Sequence, residues 1–417
     1  MNTALSQELA WRGFSYQTTL DDSAGLDKKK FTFYWGVDPS SDSMTIGNLA
    51  IAMMVRHFID HGHKAVLLVG GATGLIGDPD GKSKERRLLS EEQLEHNKQQ
   101  IIKQYKTIFA GQDFQIVDNQ DWFKDINYID FLRDVGKHVP MRQMLGRDFV
   151  SARLGEEGSG ISYAEFSYSL IQGYDFLHLF RTKGVTLQVC GSDQWGNSIA
   201  GVELIRRIEN QEAHIWSAPL VINKTTGEKF GKTEGGAVWL SAEKTSPYDF
   251  YQFWLNVDDE SVEDFLKIYT LLSKDEVENI LSEFRVDPGA RKAQKTLARE
   301  VTKLVHGEEE AESVERITAC LFGQGDYAEL TTKDLGAMKK MLPAYEAKKD
   351  EDIIGVLASS GLVSSNSEAR RMLAQNAISV NGKTVDENYR IQPSDSVAAG
   401  HVILKKGKNK YAVIELK

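Results

Sequence analysis

The feature that most constrains this 417-residue chain is an alternation of short β-rich runs with helical stretches between about residues 30 and 240. FTFYWGV (31–37) reads as a strand, DPSSDS as a turn, and the residues from Asn48 to His61 as a helix. KAVLLVGG (64–71) is a second strand running into glycines, and a charged helix follows Ser90. FQIVDN (114–119), VTLQVC (185–190) and a helix through Ile199 to Arg207 continue the pattern. Strands alternating with helices predict an α/β fold: a parallel sheet covered on both faces, whose ligands sit beyond the strand C-termini. From Ser246–Pro247 onward apolar residues recur at helical spacing instead, with no strand signal until much later. The expected organisation is an α/β domain over 1–240, an all-helical domain over 241–320, a linker with some local structure over 321–350, and a small α/β piece over 351–417.

Charge divides the chain in the same way. The net charge of −10 argues, taken alone, against a nucleic-acid binder. From Ile353 to the end, however, nine Lys/Arg stand against five Asp/Glu, a local net of +4 that leaves about −14 on the remainder. An acidic body ending in a basic module suggests a localised polyanion site. The longest apolar runs, such as Ala65–Val69, are far below the roughly 20 residues of a membrane helix. The N-terminal residues carry no leader pattern. The two cysteines, Cys190 and Cys320, have no metal-ligand spacing. A cytoplasmic protein without a metal site or a membrane partner is expected.

Five segments carry candidate chemistry. YWGVDPSSDSMTIGN (34–48) puts a tight turn between a strand and a helix N-terminus, where free N–H groups and the hydroxyls of Ser40 and Thr45 suit phosphate. Gly47 there allows close approach of a nucleotide; an ordinary capped helix is the plainer reading. GGATGLIGDPDGKSKER (70–86) carries four glycines before Asp78, and then Lys82 and Arg86 four residues apart, a cationic pair fit for polyphosphate or merely for solvent. EKFGKTEGG (228–236) is a glycine-rich loop with Lys229, Lys232 and Thr233, either a lid over a triphosphate or a solvated loop. GSDQWGN (191–197) opens a helix after a strand, with Asp193 as a ribose acceptor, an N-cap, or both. In FSYSLIQGYDFLHLF (166–180), Tyr168, Gln172 and Asp175 share one helical face, and a small amphiphilic ligand such as an amino acid would satisfy them if they are buried.

Together and in this order, over essentially the whole chain, these segments resemble bacterial tyrosyl-tRNA synthetases, a branch of the class I aminoacyl-tRNA synthetases. TIGN (45–48) and KFGKT (229–233) stand where the family carries its two signatures; GSDQWGN, YDFLHLF and GDPDGK are more specific. The tail, LVSSNSEARRMLAQNAISVNGKTV with ILKKGKNKYAVI, looks like an RNA-binding domain of ribosomal-protein type.

The resemblance implies a Rossmann-like catalytic domain that makes tyrosyl-adenylate from L-tyrosine and ATP with Mg²⁺, then loads tRNA(Tyr). No tightly bound cofactor or metal is implied. Tyr34 and Asp175 would bind the phenol hydroxyl. Asp78, Tyr168 and Gln172 would hold the ammonium, with Thr73 and Gln188 nearby. Gly36, Asp38, Gly47, Gly191, Asp193 and Gln194 would line the nucleotide and the reacting carboxylate. Ser40, Thr45, Asn48, Lys82, Arg86, Lys229, Lys232 and Thr233 would serve the phosphates. Arg206, Arg207, Lys295, Arg299, Arg370, Arg371, Lys405 and Lys406 would meet tRNA. Arg291 (or Lys292), Lys295, Arg299 and Lys303 would form one cationic helix face, or simply a solvated one. A helical anticodon-arm domain, a mobile lysine loop and a homodimer built around residues 125–180 are also implied.

The chain departs from the family at Thr45 and Asn48, which replace two signature histidines, at Trp35, where a small residue is usual, and at Cys190. Losing one phosphate donor costs about 10²–10³ in rate if nothing compensates. Three rival readings differ in what they require. A tryptophanyl-tRNA synthetase would not need the phenol site. A catalytically impaired RNA-binding paralogue would not need the lysines. A small-molecule adenylyltransferase would not need the basic tail.

Overall fold

The computed structural model describes residues 3–79, 88–145, 148–154, 160–225, 227, 229–233, 236–322 and 325–417. Two compact units emerge, Met1–Val305 and His306–Lys417.

The first unit is organised by a six-stranded sheet of β1 (Gln17–Thr18), β2 (Thr32–Val37), β3 (Lys64–Val69), β4 (Phe114–Asp118), β5 (Leu187–Gly191) and β6 (His214–Ala218), in spatial order β1-β6-β5-β2-β3-β4. Every pairing from β6 to β4 is parallel, and only β1 runs antiparallel, against β6. The four strands read from the sequence, β2 to β5, are the sheet's interior and one edge. The apolar runs of β2, β3 and β5 follow from burial on both faces; all five residues of β5 are buried. Strand order reverses between β2 and β5, and at such a switch point the loops leaving the C-terminal ends diverge and open a crevice.

Helices cover the sheet: α1 (Leu5–Arg12), α2 (Ile46–Asp60), α3 (Gly71–Ile76), α4 (Glu91–Ile108), α5 (Tyr163–Lys183) and α6 (Trp195–Glu209). Local chemistry sets their ends. The Ser90 hydroxyl accepts from Gln93 N at the start of α4, with Glu91 and Glu92 complementing the helix dipole. A Ser162–Glu165 capping box opens α5, and Gly184 in left-handed conformation closes it. A small ribbon, β7 (Lys232–Thr233) and β8 (Gly236–Ala237), follows β6.

Four further helices, α7 (Pro247–Leu255), α8 (Val262–Tyr269), α9 (Lys274–Val286) and α10 (Lys292–His306), begin where the helical region is expected. Residue 240 is nonetheless no packing border. Buried Arg12 of α1 donates to the carbonyls of Lys267 (2.8 Å), Thr270 (3.0 Å) and Leu272 (2.7 Å), satisfying the C-terminal end of α8.

In the second unit, α11 (Glu308–Leu321) and α12 (Thr332–Met341) precede β9 (Ala344–Ala347), α13 (Ile353–Ser359), α14 (Asn366–Ala374), β10 (Ile378–Val380), β11 (Lys383–Thr384), β12 (His401–Lys406) and β13 (Lys410–Leu416). The sheet order is β11-β10-β12-β13-β9, and β9 pairs parallel with β13. Ile353, Val356, Leu357, Leu373, Val402, Leu404, Ala412 and Ile414 fill its core. The stretch 321–350, expected as a linker, thus supplies a helix and an edge strand. AYEA has no β-branched residue, so only its partner strand makes it β.

Candidate active site

The loops leaving β2, β3 and β5, with α5 and the segments around Pro219–Val221 and Lys229–Phe230, enclose a cavity of about 360 Å³. This lies at the lower end of the range for small-molecule sites. At its base Tyr34 of β2 stands in register with Gln188 of β5. Tyr34, Thr73, Asp78, Tyr168, Gln172, Asp175, Gln188 and Gln194 all line the cavity, as do Gly36, Asp38, Ser40, Thr45, Gly47, Asn48, Gly191, Asp193 and Lys229. Residues scattered from position 34 to 229 therefore meet in one place. Lys82 and Arg86 lie outside the described residues, as do the side chains of Lys232 and Thr233; the backbone of the latter pair forms β7.

Two kinds of polar group occupy the cavity. The first is tied together. Asp38 accepts from the Thr73 hydroxyl (2.6 Å) and the Tyr168 hydroxyl (2.6 Å). Asp175 accepts from Asn119 Nδ2 (3.1 Å) and Trp122 Nε1 (3.0 Å), and the same Asn119 nitrogen donates to Thr73 Oγ1 (3.0 Å). Gln194 Nε2 donates to Asp78 Oδ2 at 2.6 Å. The approach of Asp38 and Thr73 requires bare backbone at Gly70, where a Cβ would fall 2.1 Å from Asp38 Oδ1 and 2.3 Å from Thr73 Oγ1.

The second kind is unsatisfied. Among the described residues the buried Tyr34 hydroxyl, Gln172 Oε1 and Gln188 Oε1 have no hydrogen-bond partner. Buried polar atoms without partners are costly, and three on one cavity point to a ligand that completes them.

The field in the cavity is acidic at this end. Burial pushes the Tyr168 hydroxyl well above its ordinary value, and the charges of Asp38 and Asp78 push it further. Burial and then the Asp175 charge act likewise on Tyr34. Burial also raises the Asp175 carboxyl, against the donations from Asn119 and Trp122 that favour its ionised form. Such a cluster suits a bound ammonium group and a hydroxyl donor.

At the other end, Thr45 N and Thr45 Oγ1 both donate to Asn48 Oδ1 at 3.0 Å. The pair caps α2. Lys229 stands 3.9 Å from Asp193, a half-exposed and weak pair. Phe230 lies with its ring centroid 4.0 Å from Phe265 and 5.1 Å from Phe253, which seats the first limb of the lysine loop on the helical region.

The remaining departures from the family pattern resolve simply. The Trp35 ring is buried against Tyr105 of α4 and Phe109 just beyond it, with centroids 5.4 and 6.3 Å apart. Cys190 is buried, and burial pushes its thiol up to about 12, away from the thiolate form.

Asn119 and Trp122 were not foreseen. Their only sequence signal is a position at the C-terminal end of FQIVDN, where parallel strands present ligand contacts.

Residues 26–323 match the family described as tRNA synthetases class I (W and Y), and residues 334–414 match the tyrosine–tRNA ligase SYY-like C-terminal domain. The chain belongs to the class I tRNA synthetases of the W and Y group. This synthetase is 44% identical over 427 residues to the tyrosine–tRNA ligase of Staphylococcus saprophyticus, with both chains covered completely. A C-terminally truncated mitochondrial tyrosyl-tRNA synthetase of Aspergillus nidulans matches with a TM-score of 0.68 at 30% identity, over 75% of this chain and 92% of its own. Its counterpart from Coccidioides posadasii matches with a TM-score of 0.65 at 31% identity, over 75% of this chain and 91% of its own.

The expected tRNA contacts of the synthetase lie outside the cavity. Arg206 and Arg207 are both paired with Glu203, at 2.7 and 3.3 Å. Lys295 is exposed and Arg299 half-buried on α10. Arg291 does not share that face: its guanidinium turns inward to the carbonyls of Leu255 (2.7 Å) and Val257 (3.2 Å), where it caps α7. In the second unit Arg370 and Arg371 are exposed on α14. Lys405 lies over the Tyr411 ring, and Lys406 is held by Glu368 at 2.6 Å.

Proposed function

We propose that this synthetase activates L-tyrosine with ATP and passes the tyrosyl group to the 3′-terminal ribose of tRNA(Tyr). One observation carries the choice of amino acid: the buried Tyr34 hydroxyl lacks a partner on a cavity it shares with Asp175. A substrate phenol would donate to Asp175 and accept from Tyr34. Phenylalanine would leave the buried Tyr34 hydroxyl unpaired and bring no donor to Asp175, and an indole offers no hydroxyl to exchange between them.

The acidic cluster of Asp38, Asp78 and Tyr168, with Gln172, receives the ammonium. A tyrosine carboxylate oxygen then attacks the α-phosphorus of ATP as the bond to the β-phosphate oxygen breaks, and pyrophosphate leaves. Gly36, Gly47, Gly191 and Asp193 accommodate the nucleotide. Ser40, Asn48 and the N-terminus of α2 face the phosphates, where Lys82, Arg86, Lys229, Lys232 and Thr233 supply positive charge. Mg²⁺ carried on the triphosphate would add positive charge there. The chemistry needs no covalent enzyme intermediate, and catalysis is positioning with charge stabilisation. In the second step a ribose hydroxyl attacks the acyl carbon and AMP leaves.

The basic residues of α10, α14 and β12 are the proposed tRNA contacts, with α7 to α10 serving the anticodon arm. Exposed Tyr128, Ile129, Met141, Leu154 and Tyr163 support a homodimer through this stretch; a monomer in sedimentation at micromolar concentration would refute it. Two buried free cysteines fit a reducing cytoplasm. Among the described residues no helix is long and apolar enough to cross a membrane.

Exchange of labelled pyrophosphate into ATP tests the activity. Exchange is expected with tyrosine and not with tryptophan or phenylalanine. Exchange driven by tryptophan, or none with tyrosine, overturns the reading.

A further inference from the structure

The lysine loop leaves the cavity at Lys229 and returns through residues 236–245. That return limb is bonded along its length to the turn that carries Ser40 to Thr45. Ile46 N donates to Val238 O (3.1 Å), Leu240 N to Met44 O (2.9 Å), and Ser241 N to Ser43 Oγ (3.0 Å). Val238 N in turn donates to Gly231 O at 3.0 Å, so the limb also grips the loop itself. Behind the turn, Gln104 of α4 accepts from Met44 N (2.8 Å) and donates to Ser43 Oγ (2.9 Å), which gives the turn a fixed backing.

At the far end of this seam Lys244 closes the contact. Its ammonium reaches Asp42 Oδ1 at 2.6 Å and Ser41 Oγ at 3.0 Å, and lies 4.5 Å from the centroid of the Trp239 ring. Burial would raise the Asp42 carboxyl; Lys244, together with hydrogen bonds from Ser41 and the backbone, more than offsets this and holds it below its ordinary range. Lys244 does not line the cavity, whereas Ser41 and Trp239, both of which it touches, do. The contact therefore joins the walls of the cavity from outside.

We propose that Lys244 is a positioning residue for the activation step: bound to Asp42 and Ser41 across Trp239, it fastens the lysine loop to the phosphate turn. The inference rests on the function proposed above. Charge on the leaving pyrophosphate grows during reaction, so loss of loop register lowers the turnover rate and spares the tyrosine site. Both partners are about one-third exposed, at 32% and 34%, which limits the effect. About a fivefold change is expected, the upper end for a pair of this kind.

The test uses the full chain as Lys244→Met, Asp42→Ala, the double variant and Lys244→Arg, assayed by tyrosine-dependent pyrophosphate exchange with thermal unfolding alongside. Each single change is expected to lower kcat about fivefold with KM for tyrosine and Tm unchanged. The double variant should be no slower than the singles, and Lys244→Arg should recover the rate. Unchanged kcat in Lys244→Met, losses that multiply in the double variant, or losses that track KM for tyrosine or Tm would each overturn the proposal. A wild-type chain inactive with tyrosine would overturn the function as well, whereas an active wild type with unaffected variants overturns this inference alone.

Discussion

Asn119 is completely buried at the exit of β4, and both polar atoms of its carboxamide are hydrogen-bonded. Its oxygen accepts from Ala72 N at 2.7 Å, and its nitrogen bridges Thr73 and Asp175. Asn119 thereby links the hydroxyl end of the cavity to the Asp38–Tyr168 end. Asn119→Asp would set a second carboxylate against buried Asp175 with no donor between them. The expected outcome is a rise of at least about tenfold in KM for tyrosine, and a loss of about 3 kcal/mol in urea unfolding; an unaltered KM would remove Asn119 from the site. Tyr168, Gln172 and Asp175 were legible in the sequence because polar residues on one face of an apolar helix call for partners. Asn119 was not, since its partner Asp175 is 56 residues away and nothing local marks a strand-end asparagine as more than a turn residue.

The lysine loop and α10 are segments whose proposed roles are open to direct test. Gly231 sits at φ +95°, and a Cβ there would lie 2.7 Å from Ile46 Cγ1. Gly231→Ala must therefore push the loop off the start of α2. Exchange turnover is expected to fall about tenfold, with tyrosine binding by equilibrium dialysis unchanged. On α10, reversing charge at Lys295 and Arg299 is expected to weaken tRNA affinity about tenfold and to flatten the slope of log Kd against log salt. An unchanged slope would make α10 a solvated surface. Periodicity placed these helices well, but it could not show which cations face outward. Arg291 belongs to the same repeat and yet turns to the end of α7, because unpaired helix carbonyls attract it more than solvent does.

At the scale of the molecule, buried histidines tie stability to pH. Burial holds His57 well below its ordinary 6.5 and His63 at about 4, so both are neutral in the folded protein. The unfolded chain takes up these protons near pH 6.5. Their contribution is therefore complete above that value and is lost as pH drops, that of His63 down to about 4. A lower urea midpoint at pH 5 than at pH 7 is the expected result; equal midpoints would contradict it. Domain borders were the least legible part of the sequence, because a border depends on contacts between distant segments rather than on local composition. Arg12 reaches across some 255 residues to join α1 to α8. The short strand β9, paired with β13 inside the second unit, has a practical corollary. A fragment cut at residue 351 would lose β9 and bare a row of unpaired amides and carbonyls along β13, a ready template for other chains. Such a fragment should self-associate in light scattering, whereas one beginning at 306 keeps its edge covered and should remain dispersed.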